Sequence, residues 1–242
     1  AGLRQVDPEA AIAAIRATRR RELFRISAAD SLGLLSVDDV GPALSAIADA
    51  TIQAALAVAT ATVLVDGIQA EDLVEFVVVG MGRYGGEELG YGSDADVMFV
   101  YRTREGVDEA AASDAATSVA NELRRLLALP SADPPIDMDA DLRPEGRNGP
   151  IVRSLASYAA YYERWSAAWE AQALLRARPV AGSPALQDAF IELIDPIRYP
   201  AEGVSSTDLL EMRRLKARME AERLPRGADP ALHLKLGRGG LS

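Results

Sequence analysis

Two short apolar runs near the middle of the chain have the pattern of buried strands. Residues 76–79 and 97–101 are apolar and rich in β-branched and aromatic side chains, which is typical of strands covered on both faces. Between them, the glycine-rich residues 80–92 leave room for only one or two helical turns, because an interior glycine costs up to ~1 kcal/mol of helix stability. The sequence therefore predicts two neighbouring strands joined by a turn and a short helix.

Helical spacing of apolar residues is typical of most of the remaining chain. Capping signals at Asp7, Ser27 and Ser36 each predict the start of a helix in the first third. The predicted helices cover, in order, residues 8–24, 27–35, 37–65, 107–129, the stretch from 154 onward, and 205–223. Four arginines, Arg16, Arg19, Arg20 and Arg21, follow each other closely in the first of these helices. We interpret them as a solvated basic face rather than as a ligand site.

Residues 136–142 alternate strictly between apolar and acidic side chains. The apolar set is Ile136, Met138, Ala140 and Leu142, and the acidic set is Asp137, Asp139 and Asp141. In a strand these two sets occupy opposite faces. Three carboxylates on one face repel one another unless cations or basic groups neutralise them. The pattern favours a cation site, and a plain solvent-facing strand is the alternative.

Composition narrows the classes of function. The chain has 242 residues, no cysteine and one histidine, so any metal site must use oxygen ligands, which suit Mg²⁺ or Mn²⁺. A net charge of −10 argues against nucleic-acid binding, which requires a basic surface. The alanine-rich residues 43–65 are interrupted by polar side chains, so we expect a soluble helix rather than a membrane span. These properties, with no signal peptide in view, lead us to expect a cytoplasmic protein.

The glycines at residues 80–85 match the dinucleotide fingerprint G-x-G-x-x-G. In a dinucleotide-binding fold, however, a regular helix follows, and an acidic residue closes the second strand about 20 residues later. Here glycines crowd that helix, and Asp94 and Asp96 open the second strand. We therefore reject the dinucleotide interpretation on its spacing.

A metal-bound polyphosphate site explains the same stretch better. Asp94 and Asp96 are spaced i, i+2 and share one face of a strand, so both can bind one hard cation. Asp139 is the natural third carboxylate, and two cations on three aspartates could position a phosphate for transfer. Exposed backbone N–H groups around Gly85, Gly86 and Ser93 are the expected seat of a triphosphate.

This order of features resembles the nucleotidyltransferase superfamily, which has the fold of DNA polymerase β. The resemblance implies an α+β fold in which a small mixed sheet packs with many helices. We expect a helical N-terminal segment (residues 1–70), a nucleotidyltransferase core (71–153) and a helical extension (154–242). The chain is interpreted as a fragment of a larger protein, because it stops within a glycine-rich motif at residues 235–240.

Four motifs in order resemble one family within that superfamily, the bifunctional glutamine synthetase adenylyltransferase/adenylyl-removing enzymes of actinobacteria. The motifs occupy residues 80–100, 139–150, 169–178 and 235–240. The resemblance implies transfer of AMP from ATP to a tyrosine of glutamine synthetase, which releases pyrophosphate and regulates nitrogen metabolism. It implies Asp94, Asp96 and Asp139 as the catalytic, metal-binding carboxylates.

The same family includes a second, homologous domain that removes the AMP by phosphorolysis. Leu89 followed by Gly90 resembles the C-terminal transferase half, whereas the motif at 235–240 is closer to the removing half. We expect the transferase half, with the removing half and a catalytically silent nucleotide-binding module as alternatives. The family resemblance also implies PII-type signalling proteins and glutamine as regulators.

Several polar residues next to these motifs have two open interpretations. Arg143 and Arg147 either neutralise phosphate charge or pair with Asp137, Asp141 or Glu145. A second group, Glu170, Gln172, Arg176 and Arg178, is expected on a helix in either buried hydrogen bonds or substrate contacts. Lys235 is a weaker candidate for substrate binding.

Overall fold

The computed structural model describes residues 7–165, 168–222, 227, 229 and 231–232. The predicted motif at residues 235–240, including Lys235, lies outside these ranges. The helices that the structure describes are α1 (Pro8–Ser31), α2 (Val37–Thr62), α3 (Ala70–Leu73), α4 (Gly82–Gly85), α5 (Glu109–Ala128), α6 (Leu155–Trp165), α7 (Ala168–Leu174), α8 (Pro184–Arg198) and α9 (Ser206–Glu222). The strands are β1 (Leu64–Val65), β2 (Ile68–Gln69), β3 (Val74–Gly80), β4 (Ala95–Thr103), β5 (Met138–Asp139), β6 (Val152–Ser154) and β7 (Arg178–Gly182).

A small mixed sheet forms the centre of the fold. β3 pairs antiparallel with both β4 and β7. On its other edge, β4 pairs in parallel first with β5 and then with β6. Strands β3 and β4 confirm the two buried runs of the sequence, each extended by a few residues. The α+β class and the small mixed sheet are therefore confirmed.

Helices cover both faces of this sheet. Side chains of β3 alternate between the two faces, as the period of a strand requires. Phe76 and Val78 pack in a core with residues of α1, α2 and α5. Val77 and Val79 pack in a second core with residues of α6, α7 and α8. Both faces of β3 and β4 are thus buried, which explains why their sequences are continuously apolar.

The first predicted helix boundary is wrong. α1 runs unbroken from Pro8 to Ser31, so the capping box at Ser27 does not start a new helix. The Ser27 hydroxyl instead donates to the carbonyl of Phe24 in the preceding turn, and Ile26 is buried in the core. Ser36 does begin α2 as predicted, because its backbone N–H and hydroxyl both donate to the Asp39 carboxylate.

Two further predictions need correction. The alternating strand expected over residues 136–142 is only two residues long, and Leu142 is 38% exposed instead of lying in the core. The C-terminal segment is not purely helical, because β7 returns to the sheet beside β3. Arg178 therefore lies on a strand, and α7 ends at Leu174. The domain boundaries at residues 70 and 153 stay a prediction.

α2 is the one described helix that is long and apolar enough to cross a membrane, by length and composition only. It packs within the fold against α1, α5 and β7. Ile52, Ala55 and Ala59 on its inner face are fully buried in the first core. Its apolar character is accounted for by this packing.

Candidate active site

The structure brings three carboxylates together at one end of the sheet. Oxygens of Asp94, Asp96 and Asp139 all lie within 4.8 Å of one another. Asp94 and Asp96 share a face at the start of β4 because they are two residues apart. The parallel pairing of β4 with β5 puts Asp139 directly beside Asp96. The register of two short strands therefore assembles the cluster from two distant parts of the sequence.

Main-chain hydrogen bonds hold the Asp139 carboxylate and the backbone of Asp96. The Asp141 backbone N–H donates to Oδ1 of Asp139 at 2.7 Å, which leaves its other oxygen for the cluster. The carbonyl of Asp96 accepts from the backbone N–H of Met81 at 2.8 Å. This bond ties the start of β4 to the end of β3, where the glycine-rich turn begins. Main-chain contacts thus orient the Asp139 carboxylate and fix the backbone position from which the Asp96 side chain extends.

Gly82 is a site residue that the sequence reasoning missed. Its φ of +54° is one that side chains other than glycine rarely adopt, and a Cβ there would lie 2.3 Å from Oδ2 of Asp96. Only glycine can therefore occupy this position without displacing the Asp96 carboxylate. The signal in the sequence was the second glycine of the rejected dinucleotide pattern, which marks close approach of the backbone to an oxygen.

The three glycine-loop residues expected to seat a triphosphate have N–H groups that are already used within the loop. Gly85 N–H donates to Met81 at 2.8 Å, Gly86 N–H to Gly82 at 3.1 Å and Ser93 N–H to Gly90 at 3.1 Å. The expectation of exposed N–H donors at these positions is therefore wrong. Gly85 has a packing role instead, because a Cβ there would lie 1.8 Å from the carbonyl oxygen of Arg176. The Ser93 hydroxyl accepts from Gly90 N–H at 3.1 Å and keeps its own proton to donate.

Arg143 and Arg147 lie at the cluster but are engaged with the protein. Nε of Arg147 donates to Oδ2 of Asp141 at 2.5 Å, and this hydrogen bond raises the pKa of Arg147. Arg143 donates to the backbone carbonyls of Ala140 (2.6 Å), Gly149 (3.1 Å) and Pro150 (3.0 Å). Of the two open interpretations, pairing with Asp141 is the one seen. It also explains why Asp141 lies outside the aspartate cluster.

A cavity of about 460 Å³ opens beside the cluster. Its walls combine carboxylates with basic side chains, and its lining residues are Asp94, Arg124, Asp137, Met138, Asp139, Ala140, Asp141, Arg143, Arg147 and Ile151. Arg124 of α5 was also missed, because nothing in the sequence connects that helix to the aspartates. Asp137 lies in the cavity wall but outside the cluster.

The N-terminal helix holds the segment that leads to Asp139. Arg16 is only 3% exposed, and its guanidinium donates to the carbonyls of Leu129 and, at 2.6 Å, Asp133. Arg19 donates to the carbonyl of Pro134 at 2.8 Å, and Arg20 pairs with the Asp133 carboxylate at 2.7 Å. The interpretation as a solvated basic face is therefore wrong for Arg16, Arg19 and Arg20, whereas Arg21 is exposed as expected. The first three fasten residues 129–135, immediately before β5.

The glycine loop before Asp94 is held by other contacts from the same helices. The Tyr91 hydroxyl donates to Asp30 of α1 at 2.9 Å. Arg178 donates to Asp49 of α2 through two nitrogens, at 2.7 and 3.2 Å, and to the carbonyl of Gly85 at 3.3 Å. Burial and the neighbouring Asp49 charge raise the pKa of Tyr84, whose ring lies under the Arg178 guanidinium. The glycine loop before Asp94 and the segment before Asp139 thus both contact the N-terminal helices.

The carboxylate set fits a hard divalent cation. Mg²⁺ and Mn²⁺ prefer oxygen ligands, and one or two carboxylates usually hold Mg²⁺ together with phosphate oxygens. The cluster offers only carboxylate oxygens, from Asp94, Asp96 and Asp139. The Asp96 carboxylate occupies space that a side chain at Gly82 would fill. The residues present therefore fit the predicted metal.

Comparisons with known proteins identify the family of the chain. The family model described as glutamate-ammonia ligase adenylyltransferase matches residues 3–193. A protein of Mycobacterium tuberculosis is 57% identical over 99% of this chain, one of Mycobacterium avium 58% over 99%, and one of Streptomyces avermitilis 57% over 97%. All three are described as bifunctional glutamine synthetase adenylyltransferase/adenylyl-removing enzymes. The chain spans about a quarter of the length of these curated relatives, 24% in each case.

Proposed function

The chain belongs to the glutamate-ammonia ligase adenylyltransferase family, and from this we propose that its aspartate cluster transfers AMP from ATP to a tyrosine of glutamine synthetase. The observation that carries the proposal is the meeting of Asp94, Asp96 and Asp139 within 4.8 Å. Two strands deliver these carboxylates, as expected for a polymerase-β-like nucleotidyltransferase fold. That finer fold assignment is part of the proposal.

In this reaction the tyrosine oxygen forms a bond to the α-phosphorus of ATP, and the bond from that phosphorus to pyrophosphate breaks. Asp94, Asp96 and Asp139 would hold Mg²⁺ or Mn²⁺, which when bound polarises the phosphate and neutralises the leaving pyrophosphate. Asp139 comes from a separate strand and is the carboxylate that we assign to accept the tyrosine proton. Ser93, whose hydroxyl proton is available, donates to a phosphate oxygen beside the glycine loop.

The test is transfer of labelled AMP from ATP to purified glutamine synthetase with Mg²⁺ present. We expect the Asp94→Asn/Asp96→Asn double variant to lose transfer, because amides neither neutralise a divalent cation nor hold it tightly. Asp137→Asn is the matched control, since it lies in the same cavity but outside the cluster, and it should retain transfer. Undiminished transfer by the double variant would overturn the assigned site.

Removal of AMP by phosphorolysis is the second candidate, because the relatives carry both activities in their description. In that reaction inorganic phosphate attacks tyrosine-bound AMP and releases ADP, using the same cluster. The sequence at Leu89–Gly90 supports the transferase half over the removing half. The three intact aspartates argue against a catalytically silent module. Incubation of adenylylated glutamine synthetase with phosphate distinguishes the cases, since ADP without any forward transfer would identify the removing half. Regulation by glutamine and PII-type proteins, and a cytoplasmic location, belong to the proposal for the whole protein.

A further inference from the structure

Arg124 stands apart from the other basic residues that line the cavity beside the aspartates. Arg143 has a side chain only 10% exposed and donates to backbone carbonyls, as described above. Arg147 donates to Asp141. Within the part of the chain that the structure describes, Arg124 makes no hydrogen bond or ion pair. Arg143 thus serves the fold and Arg147 is paired with Asp141 through Nε, whereas Arg124 has all of its donors available.

The next residue on the same helix provides an internal comparison. Nε of Arg125 pairs with Glu122 at 2.8 Å, and NH1 of the same guanidinium lies 3.7 Å from Glu9 of α1. The neighbouring Leu123 and Leu126 are fully buried, and they fix the rotation of α5 against the sheet. Arg124 therefore faces the cavity because of how the helix packs, whereas Arg125 faces acidic partners.

The cavity wall defines what Arg124 can bind. Asp94, Asp137 and Asp139 line the same space, so a bare anion would meet unfavourable charge there. A phosphoryl group that shares a cation with the cluster avoids this repulsion, because the cation binds the carboxylates and a phosphate oxygen together. The planar guanidinium then matches two further phosphate oxygens.

We propose that Arg124 binds a phosphoryl group of the substrate on the Asp139 side of the cluster. The proposal rests on the function proposed above and adds to it a specific anion-binding residue. The phosphoryl group can come from two sources, the polyphosphate of a nucleotide or free inorganic phosphate. The first serves adenylyl transfer and the second serves removal, so the identity of the ligand also bears on the direction of the reaction.

Calorimetric titration with Mg²⁺ present tests the proposal. The ligands are a non-hydrolysable ATP analogue in one arm and inorganic phosphate in the other, and the proteins are wild type, Arg124→Gln, Arg124→Lys and Arg125→Gln. We expect Arg124→Gln to weaken binding in at least one arm about tenfold, as loss of a charge-assisted hydrogen bond predicts. Arg124→Lys should lose less because it keeps the charge, and Arg125→Gln should stay within about twofold of wild type.

Each outcome decides a specific point. Weaker binding of the analogue alone assigns Arg124 to the nucleotide, weaker binding of phosphate alone assigns it to inorganic phosphate, and a loss in both arms indicates one shared subsite. Equal binding by wild type and Arg124→Gln in both arms overturns this inference but leaves the proposed function standing. Failure of wild type to bind either ligand overturns both. Circular dichroism of the variants confirms that the exposed substitutions leave the fold intact.

Discussion

The two halves of the aspartate cluster offer the same ligand chemistry but are supported in different ways. Asp94 and Asp96 stand at the start of β4, a central strand that is paired along both edges. Asp139 ends a two-residue strand, and the segment before it is fastened by side chains more than 110 positions earlier in the sequence. The first half is positioned by the hydrogen bonds of β4 with its neighbouring strands. The second half depends on Arg16, Arg19 and Arg20 of α1, which we call the clamp.

Because the two halves are supported differently, we expect substitutions near them to have different effects. A continuous strand keeps its register unless the whole sheet is disturbed. A segment held by a few side chains loses its position when one of those side chains is lost. We therefore expect substitutions near Asp96 to act on chemistry, and substitutions at the clamp to act on stability and metal binding together.

Outside the carboxylates themselves, the largest effect is expected at Gly82. Gly82→Ala would push a methyl group into the Asp96 carboxylate, and displacement of a catalytic group by about 1 Å can lower the rate about a hundredfold. The initial rate of label transfer to glutamine synthetase measures this. Gly92→Ala is the matched control in the same loop, because a Cβ there meets nothing within 4 Å. Similar rates for the two variants would remove Gly82 from the site.

The clamp is expected to show the next largest effect. Arg16→Met removes the buried hydrogen bonds to Leu129 and Asp133, which should lower the free energy of unfolding by about 2–4 kcal/mol. Because residues 129–135 lead to Asp139, the Mg²⁺ concentration for half-maximal activity should rise as well. Urea denaturation and a Mg²⁺ titration measure the two quantities.

Arg21 supplies the control for that prediction. It is exposed on the same helix, and the described contact of its guanidinium is with the Thr18 hydroxyl. Arg21→Met should change the free energy of unfolding by less than about 0.5 kcal/mol. A stable Arg16→Met protein with an unchanged Mg²⁺ requirement would show that Asp139 does not depend on the clamp.

A smaller effect is expected for the ion pair that supports the glycine loop. Asp49→Asn weakens the half-buried contact with Arg178, which should cost about 1–2 kcal/mol of unfolding free energy. A double-mutant cycle with Arg178→Gln separates the pair from the other bonds of Arg178. Additive losses would mean that the two side chains do not cooperate in holding Gly85.

The smallest effect is expected at Tyr91. Tyr91→Phe removes one hydroxyl at an exposed position, where it donates to Asp30. Because β4 already fixes Asp94 and Asp96, the rate of transfer should change by less than about threefold. A larger loss would indicate that this half, too, depends on distant support.

The sequence predicted those parts of the fold whose signals are local. Residues 76–79 and 97–101 were recognisable as strands because burial on both faces leaves a continuous apolar run. β7 was missed because Arg178–Gly182 is short and includes proline and glycine, which argue against a strand. The helix start predicted at Ser27 was wrong because tertiary packing overrode a local signal. The capping box is present in the sequence, but the burial of Ile26 in the core keeps the helix continuous.

In the candidate site, too, the features with a local sequence signal were predicted and those that depend on tertiary contacts were not. The spacing of Asp94 and Asp96 points to a shared face in any strand. Asp139 was expected as the third carboxylate from the alternating residues 136–142, and the family resemblance implied the same residue. The clamp could not be foreseen, since Arg16 binds backbone carbonyls, which every residue has. Likewise, the N–H groups of Gly85 and Gly86 were expected to be open because a glycine pattern does not reveal which turn hydrogen bonds will form.

The pairing of β4 with two successive short strands leaves one loop of the protein outside the sheet. Residues 140–151 leave the sheet after Asp139 and rejoin it at Val152, while β4 advances only across Val97 and Met98. Arg143 closes this excursion by binding the carbonyls of Gly149 and Pro150, in the manner of an Ω-loop. Because β4 sets the register of the strands on either side, this loop can change conformation without shifting them. The rim of the cavity can therefore adjust to a ligand while the carboxylates keep their places.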